Sequence, residues 1–424
     1  MFDSMIKRIL MSAIFYFLAQ SSTAGNWAQW HGPNRDNIST ETGLMKQWPE
    51  GGPEMLWFIE GMGTGYSTVS ISDGFIYVTG MIKKEGMLSK IDLTGKLIWQ
   101  KPYAQEWYKS FPGTRSTPTI NDGCAYIMGG NGDVVCMDIN SGEKKWAINT
   151  VTKYGGKLTY WGVAESFVVD SEKVYCMACG PDASVVALDK KSGEEVWTTK
   201  GLSDGISFSS PILVVHHGKK QLISVLASSV VGIDIQDGKV LWNCPKSSFL
   251  NPSGLADGVF ATSCTPIYKD GCVFVASPRN NGAGMIRISE DSTTATVVWK
   301  NYEFDNYHGG TVLVDGMLYG ANWISNSKGD WLCVDFETGK IMYTHSWDGK
   351  SGSVLYADDM LYCYAEKTGK IALVKPNPSE FAIVSSFEVT LGEKEHWAHP
   401  VILDGRLYVR HGDVLMAFDI KAGK

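Results

Sequence analysis

The sequence predicts an all-β fold: an eight-bladed β-propeller of four-stranded antiparallel sheets. Three observations predict it, namely a repeated Asp-x-x-x-Gly turn, a Trp shortly after most of these turns, and an Asp-Gly turn before an aromatic strand earlier in each copy. Helical patterns are missing between the strand-like runs, which disfavours an α/β fold. The chain has 424 residues, and because it repeats, its length does not imply several domains of roughly 150 residues each.

The Asp-x-x-x-Gly turn sets the period of the repeat. Asp accepts hydrogen bonds from turn amides, and Gly adopts the positive φ that a residue with a Cβ resists. Successive aspartates are 46, 51, 45, 101 and 84 residues apart, and the last two intervals halve to about 50 and 42, in the range of one propeller blade. The turns lie at Asp138 to Gly142, Asp189 to Gly193, Asp234 to Gly238, Asp335 to Gly339 and Asp419 to Gly423, with a shorter version at Asp92 to Gly95.

The tryptophan that follows the turn is interpreted as structural. A residue that recurs in every blade of a propeller serves packing. Each indole is expected to bury a large area against the next sheet. Tyr343 and Phe387 hold the corresponding place in more divergent copies. The tryptophans expected to dock in this way are Trp57, Trp99, Trp146, Trp197, Trp242 and Trp299.

Each copy holds four short runs with strand character. In the second copy they are Thr117 to Ile120, Cys124 to Met128, Val134 to Asp138 and Lys145 to Ile148. The middle runs are apolar on both faces, as expected of a sheet packed between two other sheets. The eight copies are predicted to begin near Tyr66, Arg115, Val163, Phe208, Cys264, His308, Ser353 and Ala398.

The two ends of the repeat predict how the ring closes. The last copy stops at its turn from Asp419 to Gly423, before a Trp strand, whereas Glu54 to Phe58 is a Trp strand with no copy before it. We expect residues 54–58 to complete the last blade, which removes exposed sheet edges. Residues 25–424 are therefore predicted to form one propeller domain, with 25–53 as an N-terminal extension.

Residues 1–24 are predicted to be a secretory signal peptide. Lys7 and Arg8 precede an apolar run from Ile9 to Ala19 that is too short to span a bilayer, and small residues lie three and one positions before Gly25. Met5 is an alternative start, and a buried amphipathic helix is the alternative structure. The segment contains no Cys, so lipid attachment there is not expected. The mature protein is expected to be exported to the periplasm or beyond, without a transmembrane segment.

The net charge and the positions of the cysteines argue against two classes of function, nucleic-acid binding and zinc or redox chemistry. A net charge of -7 without a Lys/Arg cluster makes a nucleic-acid partner unexpected, because phosphate binding needs concentrated positive charge. The nine cysteines cannot all pair. Several occupy equivalent places in different copies, as Cys124 and Cys272 do, and are interpreted as small buried apolar side chains. Cys176-x-x-Cys179 continues a strand, which would point the two sulfurs to opposite faces, so a zinc or redox role is disfavoured.

The repeat resembles the tryptophan-docking repeat of the pyrroloquinoline quinone (PQQ)-like β-propellers. The run from Val186 to Trp197 carries the motif most clearly, and the resemblance covers nearly all of the mature chain. Blade-opening Ser116-Thr117-Pro118, Ser209-Ser210-Pro211 and Ala398-His399-Pro400 are similar to that family. The opening Trp27-Ala28-Gln29-Trp30-His31-Gly32-Pro33-Asn34-Arg35 resembles the start of its secreted bacterial members.

The resemblance implies two classes of function, because the family includes quinone-dependent dehydrogenases as well as binding and assembly proteins that hold no cofactor. The dehydrogenases carry adjacent cysteines, which this sequence lacks, and their calcium ligands have no matching local motif here. We therefore expect an exported, monomeric, non-catalytic protein, with no cofactor, that presents its funnel or rim to a protein, peptide or carbohydrate. The alternative is a PQQ- and Ca²⁺-dependent, or other metal-dependent, alcohol or sugar oxidoreductase.

The candidate site lies at the mouth of the central funnel. Residues just before the inner strands of a propeller face this mouth. The polar and aromatic residues at those positions are Tyr66, Arg115, Trp161, Glu165, Ser209, Thr265, Tyr307, His308, Trp397 and His399. The carboxylate, guanidinium and imidazoles among them can bind a metal or an anion or transfer protons, or can solvate a water-filled channel. His396-x-x-His399 lacks the glutamate and helical spacing of a zinc protease, and no metal ligands or catalytic residues are assigned.

Overall fold

The structure, a computed structural model, describes residues 26–181, 183–254, 260–325, 328–349 and 351–423. Eight sheets, each with four antiparallel strands from the repeat, form an eight-bladed β-propeller, which confirms the predicted fold class. The first strand of each blade lies toward the ring axis and the fourth toward the rim, so Ser70–Ser72 is buried whereas Leu97–Gln105 is largely exposed. The predicted signal peptide falls outside the described residues.

The first four blades follow one another along the chain. Blade 1 consists of Ser70–Ser72, Phe75–Ile82, Glu85–Asp92 and Leu97–Gln105. Blade 2 consists of Thr119–Asn121, Cys124–Met128, Asp133–Asp138 and Lys144–Asn149. Blade 3 consists of Val168–Val169, Lys173–Gly180, Ala183–Asp189 and Glu195–Thr198. Blade 4 consists of Ile212–His216, Lys219–Val225, Ser229–Asp234 and Val240–Pro245.

The remaining blades complete the ring. Blade 5 consists of Ile267–Lys269, Cys272–Ser277, Gly282–Ile288 and Ala295–Asn301. Blade 6 consists of Thr311–Val314, Met317–Ala321, Trp331–Asp335 and Ile341–His345. Blade 7 consists of Gly352–Ala357, Met360–Ala365, Lys370–Lys375 and Ala382–Glu388. Blade 8 consists of Val401–Leu403, Arg406–His411, Val414–Asp419 and Met55–Ile59.

Helix is confined to short connections within the described residues. One α-helix, Thr150–Tyr154, follows blade 2, and 3₁₀ turns lie at Lys246–Ser248 and Pro252–Gly254. None of these segments is long and apolar enough to cross a membrane. A further short strand, Ile38–Ser39, pairs in parallel with the inner strand of blade 7 and makes that sheet five-stranded.

The ring closes as predicted, with the N-terminal Trp strand in the last blade. Met55–Ile59 pairs antiparallel to Val414–Asp419, with Trp57 opposite Ala417 and Ile59 opposite Leu415. Because blade 8 therefore combines both ends of the repeat, neither end leaves an unpaired strand in the ring.

The tryptophans explain a second requirement for glycine in the repeated turn. The ring of Trp146 lies over Gly193 of the next blade, where an added Cβ would be 2.7 Å from the indole, and its Nε1 donates to the carbonyl of Lys190 at 3.0 Å. Gly193 also has a φ of 75°. The turn thus needs glycine both for its backbone conformation and for space beneath the indole. The same contact is made by Trp57 over Gly95, Trp99 over Gly142, Trp197 over Gly238 and Trp299 over Gly339.

Trp242 departs from this arrangement. The corresponding turn of blade 5, residues 289–294, contains no glycine. Trp242 instead lies over Gly232 of its own blade and donates from Nε1 to Gln221 Oε1 at 2.7 Å. It is still buried, among apolar residues of blades 4 and 5. Gln221 in turn donates to Ser292 of blade 5, so a side-chain amide replaces the direct indole contact.

The first strands begin a few residues later than predicted, except in blade 7. The blade-opening Ser and Thr residues lie just before these strands, and they bond to the neighbouring blade. The amide of Thr68 donates to Thr117 Oγ1 at 3.1 Å, the amide of Thr117 to Ser166 Oγ at 3.0 Å, and the amide of Ser166 to Ser210 Oγ at 3.0 Å. These hydroxyls therefore join blades 1 to 4 around the axis.

Candidate functional site

A pocket of about 150 Å³ lies at the mouth of the funnel. Six of the ten predicted site residues line it: Tyr66, Arg115, Trp161, Tyr307, His308 and Trp397. Sequence reasoning missed further lining residues, among them Trp30, Phe111, Phe208, Ser166, Ser210 and Ser263. The pocket therefore draws its walls from several blades and from the N-terminal extension.

Trp30 closes the pocket from below, because the N-terminal extension runs into the central channel. Its Nε1 donates to Thr265 Oγ1 of blade 5 at 2.9 Å, and its ring stacks on His31 with centroids 4.1 Å apart. Trp27 pairs with Ile71 of blade 1 through two backbone hydrogen bonds. We call residues 26–39 the plug.

The plug contacts the inner strands of most blades. Arg35 donates to the carbonyls of Ser166 at 2.7 Å and Phe167 at 2.9 Å in blade 3, and is buried. Ile38–Ser39 reaches the inner strand of blade 7 on another side of the axis. The segment thus crosses the channel and contacts blades on several of its sides. Nothing in the repeat period encodes this path, although the Trp27 to Arg35 motif marks where the segment begins.

Four predicted site residues do not line the pocket but lie deeper, where the plug or a neighbouring strand covers them. Ser209 donates to the carbonyl of Cys264 at 2.8 Å, and Thr265 accepts the indole hydrogen of Trp30. Glu165 is 1% exposed and His399 is 2% exposed. The expectation that all ten face the mouth is therefore wrong for these four. Thr265 and His399 are covered by the plug. Glu165 and Ser209 alternate with residues that line the pocket, so their own side chains point away from it.

Glu165 is a buried carboxyl beside the plug. Its Oε2 accepts the amide hydrogen of Met177 at 2.8 Å, and Arg35 is its charged neighbour. Burial raises the pKa of Glu165 from 4.5 to about 8, against the opposing effects of that amide and of Arg35. Burial also lowers the pKa of Arg35 to about 10, which leaves the guanidinium charged at neutral pH.

Aromatic rings form two groups on opposite sides of the pocket. In the first group, Trp397 lies 4.9 Å from Tyr66, 5.1 Å from Phe111 and 4.4 Å from His308, between ring centroids. In the second, Trp161 meets Phe208 edge to face at 5.9 Å, and the Arg279 guanidinium lies 5.4 Å from its centroid.

The charged residues near the pocket are engaged with the protein itself. Arg115 donates to the carbonyls of Ser110 at 2.7 Å, Phe111 at 3.1 Å and Gly113 at 3.2 Å, so it holds the 110–113 loop in place. Burial lowers the pKa of Arg115. The Tyr66 hydroxyl donates to Glu395 Oε2 at 3.2 Å, and burial, followed by this carboxylate, raises the pKa of that phenol.

His308 is the pocket residue best placed to exchange hydrogen bonds with a ligand. Its Nδ1 lies 3.6 Å from Glu366 Oε2, and Ser351 Oγ donates to the other oxygen of that carboxylate at 2.9 Å. The carboxylate can orient the imidazole, which leaves its other ring nitrogen for a ligand. Among the described residues, no group of three His, Cys, Asp or Glu side chains is arranged to hold a metal ion.

Two kinds of known protein are similar to this chain, outer membrane protein assembly factors and quinohemoprotein alcohol dehydrogenases. The family model described as outer membrane protein assembly factor BamB matches residues 84–345. The BamB protein of Kangiella koreensis is 26% identical over 141 residues, which cover 32% of each chain, so the match spans about a third of this curated relative.

Solved structures share the fold over most of the chain. The crystal structure of BamB from Moraxella catarrhalis has a TM-score of 0.62 at 14% identity and covers 87% of this chain and 99% of that one. The quinohemoprotein alcohol dehydrogenase of Comamonas testosteroni has a TM-score of 0.67 at 13% identity and covers 96% and 82%. At these identities the similarity establishes the fold alone, since both binding proteins and enzymes share it.

Proposed function

This chain belongs to the PQQ-like β-propeller family whose model is described as outer membrane protein assembly factor BamB, and from that premise we propose that it is an exported, non-catalytic binding protein. Its ligand is a protein, peptide or carbohydrate group that enters the pocket at the mouth of the funnel. The observation that carries the proposal is the pocket itself, in which Trp30 forms the bottom and aromatic rings form the sides. Arg115 also lines the pocket, but it donates its hydrogen bonds to backbone carbonyls. Such a site offers contact area and a few polar atoms, as binding pockets do.

The aromatic groups supply the expected affinity. Trp and Tyr side chains contribute large apolar area and hydrogen-bonding tips, and they dominate the energetics of many interfaces. One unsatisfied polar atom points to the same place: Nε1 of Trp397, in the pocket wall, is buried without a hydrogen-bond partner. A ligand that enters the pocket can satisfy this group, which favours specific over nonspecific binding.

The experiment is a binding screen with matched variants. Purified protein is screened against peptide and oligosaccharide arrays, and each candidate is titrated calorimetrically against the parent and the Trp161→Ala and Trp397→Ala variants. We expect each variant to weaken binding about tenfold or more. The exposed Tyr302→Ala variant, away from the pocket, is the control and should bind as the parent does. A ligand that all variants bind with equal affinity would show that its binding site lies outside the pocket.

The alternative function, a quinone-dependent oxidoreductase, depends on residues that the fold separates. Arg115 and His308 line the pocket, whereas Glu165 and His399 lie beneath it against the plug. The residues near the pocket do not fit PQQ with Ca²⁺. Arg115 donates its hydrogen bonds to backbone carbonyls, and the nearby carboxylate of Glu366 accepts a hydrogen bond from Ser351.

A titration tests this alternative directly. PQQ with Ca²⁺ is added to the protein, and quinone absorbance, melting temperature and dye reduction with alcohols and aldose sugars are followed. Saturable binding together with dye reduction would overturn the non-catalytic proposal. No binding and an unchanged melting temperature would support it.

A further inference from the structure

Two buried serine hydroxyls at the pocket still have a hydrogen to donate. Ser166 Oγ accepts the amide hydrogen of Thr117 at 3.0 Å, and Ser210 Oγ accepts the amide hydrogen of Ser166 at 3.0 Å. Both serines line the pocket, where they are 3% and 4% exposed. Neither hydroxyl donates a hydrogen bond to any residue that the structure describes. Since a hydroxyl both accepts and donates, each serine has one hydrogen left for a ligand.

The side chains around the pocket offer donors and few acceptors. Among the described residues, those that line it include no Asp, Glu, Asn or Gln. The carboxylates of Glu366 and Glu395 contact His308 and Tyr66 and do not themselves line the pocket. Nε1 of Trp397 is buried without a partner, and an indole nitrogen can only donate. A ligand group that accepts several hydrogen bonds and donates none suits such a site, and an ionised carboxylate has this property.

Two arginines bring positive charge to the pocket, and neither has a carboxylate partner. Arg115 lines the pocket, and the Arg279 guanidinium lies 5.4 Å from the ring centroid of Trp161, which also lines it. Within the part of the chain that the structure describes, neither arginine forms an ion pair. The carbonyls near Arg115 accept its hydrogen bonds without neutralising its charge. A charge that is partly removed from water without a counterion favours an anion beside it.

Arg279 is the arginine whose guanidinium is free to bind a ligand. It donates no hydrogen bond to another described residue, and its Nε is buried without a partner. The turn that carries it is held in place, since Asp305 Oδ2 accepts the amide hydrogen of Asn280 at 2.7 Å. Both Arg279 and Asn280 have a positive φ, of 64° and 62°, which residues with a Cβ rarely adopt. The planar guanidinium can donate two parallel hydrogen bonds to one carboxylate.

We propose that the pocket binds the C-terminal carboxylate of a peptide whose last side chain is apolar. This inference rests on the proposed binding function of the pocket and names its ligand. Arg279 and the hydroxyls of Ser166 and Ser210 donate to the carboxylate from the side of the pocket that blades 3 to 5 form. The apolar side chain packs against Trp397 and Tyr66 on the opposite side.

A C-terminal residue suits the size and the chemistry of the pocket. Its carboxylate and its side chain leave the same Cα, so one pocket of about 150 Å³ can contact both. An acidic sugar carries the same carboxylate, but its hydroxyl hydrogens need acceptors, which the lining side chains largely lack. Binding of a sugar would therefore leave polar hydrogens unpaired, at a cost in affinity.

Two peptides that differ only in their end group test the proposal. Acetyl-Ala-Ala-Phe with a free carboxylate and the same peptide with a C-terminal amide are titrated calorimetrically into the purified protein at pH 7. We expect the acid to bind at least about tenfold more tightly, because the amide has no charge and adds two hydrogens that need acceptors. Glucuronic acid, titrated in parallel, should bind more weakly than the acid peptide.

Variants locate the recognition of the carboxylate. Arg279→Gln should weaken binding of the acid about tenfold and change binding of the amide less than about twofold. Arg279→Lys keeps the charge and should lose less affinity than Arg279→Gln. Arg287→Gln is the matched control, since Arg287 is exposed near the far end of Gly282–Ile288, the strand that follows the Arg279 turn. Melting temperatures verify that each variant is folded.

The outcomes separate this inference from the proposed function. Equal affinities for the acid and the amide, both lowered by Trp161→Ala, would overturn the carboxylate assignment and leave the pocket as a binding site. Equal binding of the acid by the parent and Arg279→Gln would also overturn it, as would tighter binding of glucuronic acid than of the acid peptide. If neither peptide binds, the inference is wrong, and the array screen still decides whether the pocket binds another ligand.

Discussion

His31 and His399 share a hydrogen bond of 3.1 Å between Nε2 of the first ring and Nδ1 of the second. Because His399 Nε2 faces the carbonyl of His308 at 2.8 Å, that nitrogen carries the hydrogen, and Nδ1 accepts from His31. Burial lowers the pKa of His399 from 6.5 to about 4 and also lowers the pKa of His31. The bond between the plug and blade 8 therefore depends on the His399 ring being neutral, because a protonated Nδ1 cannot accept.

Replacing His399 by Gln should remove an acid-sensitive contribution to stability. Between pH 6.5 and about 4 the unfolded chain binds a proton that the folded ring does not, so this contribution is lost as the pH falls. At about 1.4 kcal/mol per pKa unit, the loss is about 2 kcal/mol by pH 5. We expect the stability difference between the parent and His399→Gln to shrink by this amount from pH 7.5 to 5 in urea titrations. A difference that is independent of pH would contradict the assignment.

Glu165→Gln should show the opposite dependence. The folded carboxyl, with a pKa of about 8, stays protonated where the unfolded one, with a pKa of 4.5, has ionised. The folded state thus holds more protons between these values, and the parent loses up to about 1.4 kcal/mol for each unit that the pH rises. Urea titrations at pH 5.5 and 7.5 should show this loss in the parent relative to Glu165→Gln. The control, Glu172→Gln, alters a side chain that is 75% exposed, and it should track the parent.

Gly193→Ala should destabilise the protein by about 2 kcal/mol or more, since the new methyl would meet the Trp146 ring at 2.7 Å. Gly123→Ala is the matched control, because Gly123 has a similar φ of 72° but nothing within 4 Å of an added Cβ. Both variants lose stability because alanine disfavours the positive φ. The additional loss of unfolding free energy in Gly193→Ala therefore measures the steric contact alone. Thermal and urea unfolding provide the comparison. Equal losses would show that docking demands nothing beyond the backbone conformation.

Deleting residues 54–58 should leave the edge of Val414–Asp419 unpaired and expose the surface under Trp57. We expect an aggregating or molten chain, detected by light scattering and by loss of a cooperative thermal transition. A milder Trp57→Ala variant should stay folded with a lowered midpoint, because it keeps the strand but loses the contacts with Gly95 and Tyr408 and the hydrogen bond to Leu93. A monomeric deletion variant with the parent's midpoint would refute the role of this strand.

The ring was predictable because its determinants are local and repeated. The turn from Asp138 to Gly142 and the tryptophan after it recur at one period, and the unmatched strand around Trp57 indicates the closure. Trp242 could have been distinguished in the sequence as well, since the turn of the following blade, residues 289–294, has no glycine for its ring to cover.

The site was only partly predictable, for a physical reason. Positions such as Trp161 and Trp397 precede inner strands, so the repeat register alone brings them to the mouth. Trp30 belongs to a segment without a copy, and its path across the channel is set by tertiary contacts, as with Thr265. Glu165 shares that register, but its side chain turns away from the pocket and accepts the amide hydrogen of Met177.

The position of Trp30 gives the funnel a blind end. A polymer cannot thread through the funnel past Trp30 from one face of the propeller to the other. The group that binds in the pocket must therefore be a chain terminus, a projecting side chain or a small ring. A bound ligand leaves through the opening by which it entered. Its dissociation rate is therefore set at the pocket mouth, which Trp161 and Trp397 flank.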